Sequence, residues 1–288
     1  MASYLLKFVR LARMKHYIKN GLILLPAFAG RRLFEPHALQ HVVYGVAAFS
    51  FLSSAIYIYN DLCDVESDRA HPVKCRRPIA SGEVGFSAAR IFLAVCLILS
   101  TAAQSAIVPV HWKAWGLLGA YTILNLAYSK LLKRVAILDM LALVAFYLLR
   151  LYYGAVITDT PVSPWLYLTV LMAASFLGFG KRRNEIRRSG QPENMPQSYT
   201  FLFLDKMMYV CLGATIVFYS LWCQIFAAVQ KSDFVLFSIP LVLATVMRYS
   251  LLAESGDHAD PMEVVMRDRG LLLLIGAYAL LMAGTLYF

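Results

Sequence analysis

Long uninterrupted apolar runs are the feature of this sequence that most restricts its fold. Such runs, each of about 17–22 residues, recur along the 288-residue chain, of which 60% is hydrophobic and only 15% charged. A run of this length can cross a hydrocarbon layer of about 30 Å as a helix. Lipid offers the backbone no hydrogen bonds, and the runs lack the two-residue alternation of a barrel. The sequence therefore predicts an all-α, polytopic membrane protein.

We predict a single integral membrane domain over residues 1–288 with about nine transmembrane helices. The predicted spans are 17–30, 40–60, 89–109, 114–129, 136–156, 164–180, 207–228, 234–252 and 270–287. No internal repeat and no separate soluble domain interrupt them. The sequence neither requires nor excludes a homo-oligomer.

Most basic residues lie in every second loop of this arrangement. Of the 27 Lys and Arg residues, 22 fall in the segments 1–19, 61–90, 130–134, 181–206 and 248–269. The positive-inside rule therefore predicts a cytoplasmic N-terminus and places these segments in the cytoplasm. We expect the protein to lie in a bacterial inner membrane. This topology and an anionic substrate or lipid explain the net charge of +10, so we expect no nucleic-acid partner.

Carboxylates cluster at the predicted cytoplasmic end of the second span. On a helix, Asn60, Asp61, Asp64 and Asp68 would fall within an arc of about 100°. Like charges so close repel one another unless a cation neutralises them, and oxygen ligands on one face suit Mg²⁺. One or two carboxylates would be typical of a solvated helix end, but three in register favour a magnesium site.

A basic loop follows the acidic segment directly. Pro72 and Pro78 are predicted to stop the helix, which leaves Lys74, Arg76 and Arg77 beside the acidic face. These cations would contact the outer oxygens of a diphosphate whose inner oxygens meet the metal. Positive-inside charge explains the sign of these residues, but it does not explain the two prolines.

Together the two stretches resemble the first aspartate-rich motif of the UbiA superfamily of intramembrane prenyltransferases. The matching pattern is Asn60-Asp61…Asp64…Asp68 followed by His71-Pro72-x-Lys74-x-x-Arg77-Pro78-Ile79-Ala80-Ser81-Gly82. The resemblance implies a bundle of nine helices with cytoplasmic cap loops. It also implies that the ligands of Mg²⁺ and diphosphate are Asn60, Asp61, Asp64 and Asp68, the three aspartates being catalytic. We interpret His71 as part of the loop structure.

The end of the sixth span departs from ordinary members of that superfamily, which carry a second aspartate-rich motif there. The corresponding stretch 178–188 is basic and contains Lys181, Arg182 and Arg183. It argues against a second magnesium site and suits a donor with an additional phosphate. Lys181 and Glu185, four residues apart, could instead be an ordinary pair on a helix surface.

Further stretches resemble the decaprenyl-phosphate phosphoribosyltransferase branch of the superfamily: residues 13–20, residues 128–154 and Lys181-Arg182-x-x-Glu185. With the first motif, they suggest a set of substrate-binding residues. The set is Lys15, Lys19, Asn60, Lys74, Arg77, Tyr128, Lys133, Asp139, Arg150, Lys181, Arg182 and Glu185. An arginine inside a span, such as Arg150, normally faces a cavity or a partner, so packing and substrate contact are both open.

The branch resemblance implies transfer of a 5-phosphoribosyl group from phosphoribosyl diphosphate (PRPP) to a polyprenyl (decaprenyl) phosphate during cell-envelope biosynthesis. Mg²⁺ would stabilise the leaving diphosphate, and the acceptor is already an oxyanion that needs no strong general base. The sugar 5-phosphate and the lipid phosphate would be held by Lys15, Lys19, Lys181 and Arg182, with the division between them open. The isoprenoid tail would lie in a groove between spans.

Two other functions remain open. An aromatic prenyltransferase with a polyprenyl diphosphate donor would share the fold and the first motif, but the basic end of the sixth span argues against it. A transporter of lipid-linked or anionic cargo would explain the membrane helices. It would not need three carboxylates in helical register beside a basic loop.

Overall fold

The computed structural model describes residues 2–71, 73–109, 111–190, 195–230, 233–255 and 261–287. In these residues the chain is all-α, as predicted, and forms no β-strand. The α-helices are α1 (Ala2–Ala12), α2 (Leu25–Ala29), α3 (Pro36–Cys63), α4 (Val65–Ala70), α5 (Phe86–Ser105), α6 (Trp112–Lys130), α7 (Leu138–Ile157), α8 (Pro164–Ser189), α9 (Phe201–Gln230), α10 (Ser238–Ser255), α11 (Pro261–Arg267) and α12 (Arg269–Tyr287). Short 3-10 segments cover Met14–Ile23, Lys74–Arg76, Leu132–Arg134 and Asp233–Phe237.

The chain divides into two compact units. The N-terminal unit comprises Met1–Ser129 and Leu149–Pro161, and the C-terminal unit comprises Lys130–Leu148 and Val162–Phe288. Helix α7 therefore begins in the C-terminal unit and ends in the N-terminal unit. Because both units contain membrane-length apolar helices, we keep the single membrane domain as a proposal.

Six helical segments in the described part of the chain are long and apolar enough to cross a membrane. They are Pro36–Cys63, Phe86–Ser105, Leu138–Ile157, Phe201–Gln230, Asp233–Glu254 and Arg269–Tyr287. Each coincides with a predicted span. Helices α6 and α8 occupy two further predicted spans, 114–129 and 164–180, but they are not among the six. The multi-pass architecture is supported, whereas the number of nine spans is not confirmed.

The first predicted span, 17–30, differs from a continuous α-helix. Its first part is the 3-10 segment Met14–Ile23, and the short helix α2 follows. The side chain of Asn20 turns inward, where it donates to Ser50 Oγ (2.8 Å) and accepts from Arg150 Nε (2.8 Å). A Cβ atom at Gly154 would overlap the main-chain carbonyl of Ile23. Close packing against α7 and these polar contacts hold the segment in its 3-10 form.

The basic loop after α4 is fixed to the N-terminal unit by apolar side chains. Ile79 and Val84 of the loop are buried in one cluster with Leu11 of α1, Ile58 of α3 and Ala89 of α5. Burying these side chains together is the main favourable term in their packing. The loop is thereby held beside the end of α3. Pro72, predicted to stop the helix, lies outside the described residues.

The C-terminal unit has a buried cluster of its own near the start of α7. Met140 of α7, Met195 and Tyr199 of the segment before α9, and Leu204 of α9 are buried together. Tyr199 lies in a non-helical stretch, yet it is only 3% exposed. This packing brings the segment before α9 against the first turn of α7, where Asp139 lies.

Candidate active site

The acidic segment keeps a helical register but is interrupted at Asp64. Helix α3 ends at Cys63, helix α4 begins at Val65, and Asp64 lies between them with φ −96° and ψ 10°. Backbone hydrogen bonds from Asp64 N to Asn60 O (2.9 Å) and from Asp68 N to Asp64 O (2.8 Å) continue the spacing across the interruption. Asp61 and Asp68 are consequently buried side by side, whereas Asp64 is exposed.

Arg77 joins the two buried carboxylates. Its Nη1 atom donates to Asp61 Oδ1 (3.0 Å) and to Asp68 Oδ2 (2.6 Å). The aspartate side chains are 3% and 2% exposed and that of Arg77 is 28% exposed. Two carboxylates that converge on one cationic nitrogen are placed to share a cation.

Arg13 supplies a second positive charge that the set of predicted site residues did not include. Its Nη2 atom donates to Asp61 Oδ1 (2.6 Å), and its guanidinium lies over the ring of Tyr57, 4.8 Å from the centroid. Arg13 has a left-handed backbone (φ 52°, ψ 45°) at the junction of α1 and the 3-10 segment. Such a conformation costs a non-glycine residue about 1 kcal/mol or more, and the two contacts offset that cost.

A pocket of about 490 Å³ borders the carboxylate pair, and we call it the basic pocket. Its cationic lining residues are Arg10, Arg13, Lys15, Lys74, Arg76 and Arg77. Lys15, Lys74 and Arg77 were predicted to bind substrate, and Arg76 was predicted to lie beside the acidic face. The half-buried Lys19 and Asn60 are not in the lining. Arg10 had no sequence signal beyond the general basic character of residues 1–19.

The loop that contributes half of these cations is shaped by His71. The ring Nδ1 of His71 accepts hydrogen bonds from the backbone N–H groups of Val73 (3.1 Å) and Lys74 (3.3 Å). This geometry confirms the interpretation of His71 as part of the loop structure.

A second group of predicted residues meets in the C-terminal unit, and we call it the C-terminal cluster. Arg182 donates through Nε to Asp139 Oδ2 (3.1 Å) and through Nη1 to Glu185 Oε2 (2.8 Å). The Nζ atom of Lys181 is 3.9 Å from Glu185 Oε1. The structure thus brings four predicted residues together, and it matches both cations with carboxylates.

Tyr199 completes this cluster and could not be recognised from the sequence. Its hydroxyl donates to Asp139 Oδ1 (2.5 Å) and accepts from the backbone N–H of Ile137 (2.8 Å). Burial, and then the hydrogen bond to Asp139, raise the pKa of Tyr199 above the ordinary value of tyrosine. The hydroxyl therefore keeps its proton near neutral pH, and the Asp139 carboxylate has donors on both oxygens.

Arg150, Tyr128 and Lys133 are the other predicted residues that the structure describes. Arg150 is buried, donates through Nη2 to the hydroxyl of Tyr121 (3.0 Å), and lies over the rings of Tyr121 and Phe49. Together with its bond to Asn20, these contacts favour the packing interpretation of Arg150. Tyr128 lies near the end of α6 and Lys133 in the 3-10 segment Leu132–Arg134.

In the described parts of the chain, no group of three or more His, Cys, Asp or Glu side chains is assembled as a metal site. Arginines neutralise Asp61 and Asp68 instead. The donor set still suits a hard divalent cation, because both carboxylates converge on one cationic position. Asn60 and Asp64 belong to the same motif, and neither side chain makes a hydrogen bond or ion pair with another described residue. Carboxylate and amide oxygens are the ligands that such an ion prefers.

A smaller, apolar pocket of about 280 Å³ lies between α3, α5 and α6 of the N-terminal unit. Its lining includes Leu52, Ile56, Leu93, Leu97 and Leu126. The lining also includes Tyr59, which precedes Asn60 of the acidic segment. The pocket lies between three predicted spans, and the groove for an isoprenoid tail stays a prediction.

Comparison with known proteins identifies the family. The profile of the UbiA prenyltransferase family matches residues 22–266. The decaprenyl-phosphate phosphoribosyltransferase of Mycobacterium tuberculosis is 30% identical over 278 residues, which cover 94% of this chain and 91% of that protein. Its namesake in Mycolicibacterium smegmatis is 29% identical over 97% of this chain and 92% of that protein. A solved UbiA homolog from Archaeoglobus fulgidus, bound to GPP and Mg²⁺, is 19% identical and has a TM-score of 0.68 over 97% of this chain and 96% of that chain. The chain belongs to the UbiA prenyltransferase family.

Proposed function

We propose that this chain is a magnesium-dependent phosphoribosyltransferase that moves 5-phosphoribosyl from PRPP to a polyprenyl phosphate and releases diphosphate. The observation that carries the proposal is the buried pair of Asp61 and Asp68 directly beside the basic pocket. A metal-bound diphosphate suits the buried carboxylate pair, and a further phosphate on the same donor suits the basic pocket. The name shared by the two mycobacterial relatives supports this donor and suggests decaprenyl phosphate as the acceptor.

The carboxylate pair has the composition of a magnesium–diphosphate site. Mg²⁺ held by Asn60, Asp61, Asp64 and Asp68 would offset the negative charge of the departing diphosphate. Arg77 touches both buried carboxylates and also lines the basic pocket, so its guanidinium can bind the outer oxygens of a diphosphate there. Lys74 also lines the basic pocket.

The transfer itself needs little proton movement. The bond between ribose C1 and the diphosphate oxygen breaks, and diphosphate leaves with the electron pair. A phosphate oxygen of the acceptor forms the new bond to C1 while C1 has oxocarbenium character. Because that oxygen is ionised near neutral pH, no side chain has to remove a proton from it. Cations that hold the two substrates are therefore the main requirement. Of the four cations predicted for this role, Lys15 lines the basic pocket, whereas Lys181 and Arg182 are paired with carboxylates.

The protein's orientation follows the same proposal. We place the N-terminus and the carboxylate pair on the cytoplasmic side of a bacterial inner membrane, because the flanking segments carry most of the basic residues. PRPP, a soluble and highly charged donor, would then reach the site from the cytoplasm. The polyprenyl phosphate would reach it from the bilayer.

A direct assay tests the proposal. Purified protein in detergent is incubated with ribose-labelled PRPP, Mg²⁺ and a polyprenyl phosphate, and label is counted in the organic phase. We expect transfer that stops on chelation and returns when Mg²⁺ is restored. A parallel reaction supplies a labelled prenyl diphosphate with an aromatic acceptor. If the protein prefers the prenyl diphosphate and the aromatic acceptor to PRPP and the polyprenyl phosphate, it is an aromatic prenyltransferase and the proposal is wrong. If the protein in proteoliposomes moves unmodified cargo across the bilayer and transfers no ribosyl group, the protein is a transporter and the proposal is wrong.

A further inference from the structure

The basic pocket holds more positive than negative charge. Six cations line it, and three of them are paired with carboxylates. Arg10 binds Glu83 (3.0 Å), while Arg13 and Arg77 both bind Asp61 (2.6 and 3.0 Å). With Asp68, which Arg77 also binds, three carboxylates therefore face six cations in this region. A pocket with this imbalance attracts an anion.

The other three cations, Lys15, Lys74 and Arg76, have side chains that form no hydrogen bond or ion pair with any described residue. Lys15 and Arg76 are exposed and Lys74 is half-buried. They come from two segments that are distant in the chain, yet they line one cavity. Arg10 Nη2 donates to the carbonyl of Arg76 (2.9 Å), a bond between residues 66 apart. This bond connects the loop to α1, and both segments contribute cations to the same cavity.

We propose that Lys15, Lys74 and Arg76 bind the 5-phosphate of the ribosyl donor in this pocket. A phosphate monoester carries a charge of about −1.5 to −2 near neutral pH and three strong acceptor oxygens. Three cations without carboxylate partners among the described residues can neutralise that charge and donate to each of the three acceptor oxygens. The inference rests on the proposed function, and it adds the subsite that distinguishes a ribosyl donor from a prenyl diphosphate.

The donor fits this pocket better than the lipid acceptor does. PRPP carries its diphosphate and its 5-phosphate on one ribose ring, so its two anion sites must adjoin. Arg13 and Arg77 line the pocket and also contact Asp61 of the carboxylate pair, so the two anion sites are neighbours. The pocket volume of about 490 Å³ is in the usual range for small-molecule sites. The lipid acceptor carries a single phosphate, so it would leave one of the two adjoining anion sites without a ligand.

Binding of substrate fragments tests the subsite. The probes are ribose 5-phosphate, inorganic diphosphate with Mg²⁺, and farnesyl phosphate as a short acceptor analogue, each measured by calorimetry on the detergent-purified protein. The variants are Lys15→Ala and Arg76→Ala, which remove exposed side chains and should leave folding intact. Lys15→Arg tests whether the charge is sufficient. Arg90→Ala is the matched control, because Arg90 is an exposed cation of the same unit outside the lining.

We expect Lys15→Ala and Arg76→Ala each to weaken ribose 5-phosphate binding by roughly tenfold, the size of one lost charge-assisted contact. Diphosphate binding should change by less than about threefold, Lys15→Arg should retain most of the affinity, and Arg90→Ala should match the wild type. Unchanged ribose 5-phosphate affinity in both alanine variants, or no such binding in the wild type, would overturn the inference. The inference would also be overturned if the two alanine variants lost affinity for farnesyl phosphate alone. Because the PRPP transfer assay is run separately, an active wild type with these results would leave the proposed function standing.

Discussion

The two units of this protein each contain an arginine that bridges two carboxylates, and the two bridges differ in their surroundings. Arg77 joins Asp61 and Asp68 in the N-terminal unit, and Arg182 joins Asp139 and Glu185 in the C-terminal unit. The Arg77 side chain is 28% exposed and lines a pocket with additional cations, whereas that of Arg182 is 12% exposed.

The difference shows that residue types alone do not determine whether an arginine between two carboxylates lines an open pocket or lies in a closed ion-pair cluster. In the C-terminal cluster, two cations meet two carboxylates, and Tyr199 satisfies a further oxygen of Asp139. In the basic pocket, cations outnumber the carboxylates that they contact. A ligand phosphate gains more where charge is unbalanced and accessible. The same comparison predicts which substitutions will affect chemistry and which will affect stability.

The largest expected effect is on turnover. Asp64→Asn should lower PRPP transfer by roughly 100-fold or more, because it removes one charged metal ligand from the site. Its exposed side chain makes no ion pair with another described residue, so the melting temperature should stay within about 1 °C of the wild type. The matched control is Glu66→Gln, because Glu66 is an exposed acid on α4 that lies between Asp64 and Asp68 but is not a predicted metal ligand. Activity within a few-fold of wild type at low millimolar Mg²⁺ would remove Asp64 from the metal site.

The second largest expected effect is a loss of stability in Arg182→Ala, which tests the difference between the two arginine bridges. Arg182→Ala should destabilise the protein by about 3–5 kcal/mol, because it leaves the fully buried Asp139 carboxylate without its counter-charge. Thermal unfolding in detergent measures the change, with Lys15→Ala as a control that should unfold like the wild type. If Arg182→Ala keeps its stability and instead raises the donor KM by ten- to a hundred-fold, the C-terminal cluster is a phosphate site and the comparison fails.

A smaller effect concerns metal affinity in the absence of donor. Arg77 occupies the position on which Asp61 and Asp68 converge, so its guanidinium competes with a divalent ion for them. Arg77→Ala should therefore bind Mn²⁺ about tenfold more tightly than wild type, as measured by electron paramagnetic resonance. Arg90→Ala should be unchanged. Weaker Mn²⁺ binding in Arg77→Ala would mean that the arginine holds the two carboxylates in place for the metal.

The smallest expected effect is that of Lys181→Ala. Its ion pair with Glu185 spans 3.9 Å and the lysine side chain is 44% exposed, so the pair contributes about 0.3 kcal/mol or less. Both the melting temperature and the donor KM should stay close to wild type, the latter within about twofold. A tenfold rise in the KM for PRPP would instead support the sequence-based assignment of Lys181 to a substrate phosphate.

Periodicity predicted the helical architecture and the neighbouring positions of Asp61 and Asp68, because both depend on local spacing. It did not predict that Asp64 would be the exposed member, since that depends on the interruption between α3 and α4. It also predicted a helix over 17–30. There the inward contacts of Asn20 and the close approach of Gly154 to Ile23 favour a 3-10 segment instead.

Contacts between residues that are distant in the chain could not be predicted from the sequence. Arg13 donates a hydrogen bond to Asp61, 48 residues away, from a left-handed backbone conformation that no sequence motif predicts. Tyr199 meets Asp139 across 60 residues from a stretch without regular structure. The charge balance of the C-terminal cluster depends on such contacts, so the basic stretch 178–188 suggested more available positive charge than the folded chain offers. The family resemblance predicted the residues, but the partners of these residues became visible only in the folded chain.

The position of Arg150 has a consequence for how the protein is made. Its hydrogen-bond partners, Asn20 and Tyr121, both precede α7 in the chain, so they have left the ribosome before Arg150 does. A guanidinium entering a bilayer alone is costly, and earlier segments that already offer acceptors and aromatic rings reduce that cost. We therefore expect α7 to insert poorly as an isolated segment and well behind residues 1–130. The N-terminal unit, interrupted in sequence, would then be completed only when α7 joins the helices synthesised before it.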